Sequence, residues 1–102
     1  MLVSSHLATT LLQMGRGPES AARRRHILEV RNRTLGPDDP TSLRSLENLA
    51  HTLQRTGELQ EAKVMGQDLL AKRISVLPAD HPDLQRTREL LRAIDQDLGT
   101  DP

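Results

Sequence analysis

The 102-residue chain contains no cysteine and no phenylalanine, tryptophan or tyrosine. The first absence removes disulfides, thiolate catalysis and cysteine-ligated zinc or iron–sulfur centres. The second removes the aromatic side chains on which single-stranded nucleic acid usually stacks. Charge of one sign is missing too: 14 basic residues balance 14 acidic ones, so no net field draws the chain to nucleic acid or to an anionic membrane. No apolar run approaches the roughly 18–20 residues needed to cross a bilayer, and the first residues lack the basic start of a secretory signal. These features predict a soluble, cytoplasmic protein that binds neither membrane nor nucleic acid. Arginine far outnumbers lysine, which points to a GC-rich bacterial genome.

What is present favours helices. Apolar residues make up 35% of the chain and are mostly Leu and Ala, while the β-branched residues are scattered singly and never alternate. Laid against itself, the chain matches at an offset of 42 residues. Gly15, Gly57 and Gly99 keep that spacing, as do Leu7 and Leu49, Ala8 and Ala50, Leu11 and Leu53, Leu28 and Leu70, Arg31 and Arg73, Leu35 and Leu77, Asp38 and Asp80, and Pro40 and Pro82. Within the complete unit, Leu43, Leu46, Leu49, Ala50 and Leu53 recur at helical spacing before Gly57. A second stripe then runs through Ala62, Met65, Leu69 and Val76. Asp39 and His81 stand at N-cap positions with Pro40 and Pro82 directly after them, where a missing N–H costs nothing. The pattern predicts one all-α domain spanning 1–102, with helices over 2–14, 18–33, 41–56, 59–76 and 83–98. They group into units 1–34, 35–76 and 77–102, two and a half antiparallel hairpins that must stack because one hairpin cannot bury its own apolar face.

Catalytic and cofactor chemistry finds no foothold. The four histidines include no pair one turn apart and no His-Glu-x-x-His motif, so no metal site is expected. Ser45 and His51 are six residues apart, off the spacing at which helix side chains meet. Gly15-Arg16-Gly17-Pro18 lacks the Lys-Ser/Thr element of a phosphate loop, and no other cofactor motif is present. The run Arg23-Arg24-Arg25-His26 points in several directions around one helix and makes no single basic patch. Gly66, in mid-helix, is weaker than Ala by up to about 1 kcal/mol and suggests a close helix approach.

The series Leu46, Leu49, Ala50, Leu53, Gly57, Leu59 and Ala62 resembles the tetratricopeptide repeat, and the 42-residue period with its Leu-Gly-Pro-Asp-Asp-Pro and Leu-Pro-Ala-Asp-His-Pro connectors is similar to the kinesin-light-chain type. The first unit departs from the pattern: Gly17, Ser20 and Arg23 stand at the register of Leu59, Ala62 and Met65. The resemblance implies a right-handed superhelical array whose first helices line a concave groove for a peptide or partner protein, without catalysis. It places Arg44, Glu47, Asn48, His51, Gln54 and Arg55 on the groove floor, with Asn48 where such repeats commonly carry Asn. Arg44, Asn48, His51 and Arg55 are the partner-binding candidates of that helix. Arg88 and Arg92, one turn apart on the last helix, add two guanidiniums suited to an acidic residue or a C-terminal carboxylate.

The two ends differ. In the last helix Leu84, Leu91, Ile94 and Leu98 form a stripe and charged residues cover the rest, as suits a terminal cap. In the first helix, over 2–14, Leu2, Val3, Leu7, Leu11, Leu12 and Met14 cover a wider arc. Three readings of that arc stay open: an upstream repeat, a larger bacterial ATPase or transcriptional regulator of which this chain is a C-terminal sensor or oligomerisation arm, and a homodimer.

Overall fold

The computed structural model describes residues 17–99, and the helix expected over 2–14, with its upstream-repeat and homodimer readings, lies outside the described residues. Among the described residues there are four helices: α1 (Gly17–Leu35), α2 (Pro40–Thr56), α3 (Leu59–Val76) and α4 (Pro82–Leu98). Each packs on the next in sequence, and α2 also touches α4.

The expected punctuation sets the boundaries. The Asp39 carboxylate accepts from the Thr41 N–H, and His81 Nδ1 accepts from the Asp83 N–H, so the two first helices start with the same device. Gly57 and Gly99 close α2 and α4 at φ 86° and 75°, a left-handed conformation that glycine adopts without a Cβ penalty. α1 runs two residues past the expected end, to Leu35, until Gly36 turns the chain.

The core has α2 at its centre. Leu49, Ala50 and Leu53 pack with Ala21 of α1, Ala62 of α3, and Leu90 and Ile94 of α4. Leu43 and Leu46 form a second cluster with Leu69, and Leu28 and Met65 pack against both. A fully buried Leu contributes about 1.5–3 kcal/mol, so most of the stability passes through this helix. At Gly66 an added Cβ would lie 2.7 Å from Leu91 Cδ2, which confirms the close α3–α4 approach. One member of the expected α3 stripe departs: Val76, the last residue of the helix, is 58% exposed.

Arginines lock the hairpins together at the repeat period. Arg31 of α1 donates to Ser45 Oγ of α2 at 2.6 Å, and Arg73 of α3 donates to Thr87 Oγ1 of α4 at 3.0 Å. Donor and acceptor each advance by 42 residues between these clasps, and both hydroxyls also donate to the carbonyl one turn back. Arg73 is 4% exposed and also meets Glu47 of α2 at 3.2 Å. Arg86 approaches the other Glu47 oxygen at 3.4 Å and Asp83 at 2.8 Å.

Burying Arg73 without its carboxylate leaves an uncompensated charge. Glu47→Leu alone should lower stability by about 3–5 kcal/mol in urea melts followed by circular dichroism. Adding Arg73→Met should recover most of that loss; a double variant as unstable as the single one would show that the two side chains are not coupled.

Candidate partner-binding face

Two-sided packing leaves α2 one open stripe. Nine of its 17 residues are buried, and Arg44, Asn48, His51 and Arg55, spaced by four, three and four, share the remaining face. Arg44, His51 and Arg55 are exposed and Asn48 is half-buried. Arg44 and Arg55 make no hydrogen bond or ion pair among the described residues. Asn48 sits against α1, where it lines a narrow crevice with Arg24, Ile27 and Ser45.

The electrostatics of the stripe are set by three helices. The His51 imidazole titrates below its ordinary value: desolvation is the largest cause, Glu47 opposes it, and Arg55, Arg86 and Arg24 add to it. His51 is therefore neutral at neutral pH while guanidiniums of α1, α2 and α4 surround it.

Glu47 requires correction. The expectation placed it on the groove floor, but it is 7% exposed and turned toward Arg73 and Arg86. Its position lies about half-way between the apolar stripe and the open one, so burial depends on what α3 and α4 bring up to it. Gln54, also expected on the floor, is half-buried at the edge and donates to Asp97 of α4 at 3.2 Å.

Arg88 and Arg92 are exposed but lie elsewhere. Moved back by one period they fall on Leu46 and Ala50, which are buried in α2, whereas the residues of α4 in register with the open stripe are Arg86, Leu90, Ala93 and Asp97. Gln85, Glu89, Asp95 and Gln96 share the Arg88 and Arg92 face, in register with Leu43, Glu47, Leu53 and Gln54. That face is polar where its counterpart on α2 is largely apolar. The basic run of α1 is likewise divided: Arg25 pairs with Glu58 at 3.2 Å and with Glu61, across to α3, while Arg23 and Arg24 are half-buried.

Among the described residues no group of His, Cys, Asp or Glu is placed to hold a metal ion, and no helix is long and apolar enough to cross a membrane. No curated protein matches the chain in sequence. Among solved structures, a putative kinesin light chain from Podosopora anserina with nearly identical TPR-like repeats superposes with a TM-score of 0.88 at 25% identity. The match covers 95% of this chain and 46% of that one. A point-substituted form of the same protein gives 0.89 at 23% identity, covering the same shares, 95% and 46%. This chain thus spans less than half the length of those structures. The sequence model of the tetratricopeptide repeat matches residues 1–75, about three quarters of the chain, and the protein belongs to the tetratricopeptide-repeat family.

Proposed function

We propose that the protein is a non-catalytic docking module that holds a peptide or protein partner along the first helices of its hairpins, with Arg44, Asn48, His51 and Arg55 as the contact residues. Tetratricopeptide repeats generally mediate protein–protein interaction and are typically non-catalytic, which supports the broad reading. The observation that carries the finer one is the open α2 stripe, in which two guanidiniums without partners among the described residues flank an amide and a neutral imidazole. Asn48 donates to and accepts from a peptide group, and Arg44 and Arg55 supply charge-assisted hydrogen bonds to carboxylates. Arg88 and Arg92 serve in this reading as the polar cover of α4, reached only by a partner that wraps around the last helix.

A peptide selected from a random display library against the whole chain provides the ligand. Asn48→Ala should weaken its binding about fivefold and Arg55→Glu about tenfold or more, with unchanged helicity. Unaltered affinity in both variants would remove the stripe from the binding site.

The stripe also has a spectroscopic signature. The His51 midpoint, followed by NMR, should fall below the usual histidine value of about 6.5, and Arg55→Gln should move it upward by removing one repelling cation. Because the folded-state value is the depressed one, His51 favours the folded form above the unfolded pKa, and that contribution fades as pH falls toward the folded one. A midpoint at or above the ordinary value would mean that burial and the three arginines together do not outweigh Glu47.

A further inference from the structure

On the far side of α2 from the open stripe, α1 and α3 stand beside each other and leave a cleft of about 400 Å3. Its walls are apolar: Leu28 of α1, Leu46 of α2, and Val64 and Met65 of α3. Val64 is 64% exposed at this cleft, a large apolar side chain without cover. Two uncharged polar side chains share it with the Asp68–Lys72 pair. Ser42 is fully buried and its hydroxyl has no hydrogen-bond partner, and the half-buried Asn32 amide makes no hydrogen bond among the described residues. Buried polar groups are nearly always paired, so the unspent Ser42 hydroxyl calls for a partner, and the half-buried Asn32 amide beside it is open to the same one.

The repeat itself shows that these two residues are local to the cleft. One period on, Asn32 becomes Ile74 and Ser42 becomes Leu84, so the other copy carries apolar residues at both positions. The polar pair is therefore peculiar to this unit and not part of the repeated pattern. Charge limits the occupant. The charged residues lining the cleft, Asp68 and Lys72, pair with each other at 3.3 Å and leave no net charge to meet an ionic group.

We infer that this cleft is a second contact site, distinct from the α2 stripe, which takes one neutral apolar residue of a partner segment. The side chain lies on Leu28, Leu46, Val64 and Met65, and the adjoining peptide group pairs with the Asn32 amide, with the Ser42 hydroxyl as a second partner once its side chain rotates. A volume of about 400 Å3 with mostly apolar walls, two uncharged polar groups and one internally paired ion pair fits the general character of ligand sites.

N-acetyl-leucinamide, which carries one apolar side chain between two peptide groups, is the minimal probe. Titrated into the whole 15N-labelled chain, it should give saturable shifts at Asn32, Val64 and Met65 in the millimolar range expected of so small a ligand. Asn32→Ile installs the residue of the other copy and should weaken binding about fivefold with an unchanged melt. Val64→Asp, at an exposed position, should weaken it as well, whereas Arg55→Glu on the opposite face should leave it intact. The proposal is overturned by non-saturable shifts, by shifts confined to the α2 stripe, by equal binding of N-acetyl-aspartate, or by undiminished binding in both cleft variants.

Discussion

Burial of α2 from both sides is the constraint from which the rest follows. A lone helical hairpin has no way to cover its apolar face, so α1 and α4 must close over the α2–α3 pair. Nine residues of α2 become inaccessible as a result, including Ser42, Ser45, Glu47 and Thr52, which carry polar groups. What remains of α2 is a narrow polar stripe. The docking face proposed above is the part of the central helix that folding does not consume.

Polar groups drawn into such a core are mostly paired where they land, Ser42 being the exception on α2 among the described residues, and the repeat period arranges much of this. The Arg31–Ser45 and Arg73–Thr87 clasps place a guanidinium from each second helix on a hydroxyl of the following first helix. The second clasp is reinforced by Glu47, which gathers Arg73 and Arg86 on its two oxygens. Ion pairs of this kind contribute little net stability but penalise any packing that separates them. They fix how one hairpin sits on the next, and thereby how the residues of α4 line up beside the α2 stripe.

The elements were legible because they rest on local chemistry. Caps at Asp39 and His81, left-handed glycines at 57 and 99, and Leu spacing in α2 each follow from a few neighbouring residues, and a 42-residue offset repeats most of them. The open stripe was legible for the same reason, as the polar complement of a helical apolar face. Glu47 was not, because its inward turn is dictated by Arg73, which lies 26 residues away and belongs to another helix. The separation of Arg88 and Arg92 from the stripe was available in the period, since their counterparts are Leu46 and Ala50, but helical spacing within α4 alone does not reveal it. The α1–α3 cleft has no sequence signal beyond Asn32 and Ser42 departing from Ile74 and Leu84.

If the two-sided burial of α2 governs the structure, its backbone cannot open unless the hairpins come apart. Native-state hydrogen exchange measures this directly. The amides from Leu46 to Leu53 should exchange only through global unfolding, with the same opening free energy and denaturant dependence as the whole molecule, while the ends of α1 and α4 open at lower cost. Exchange from the middle of α2 by local fluctuation, as fast as from those ends, would contradict the account and place the stabilising centre elsewhere.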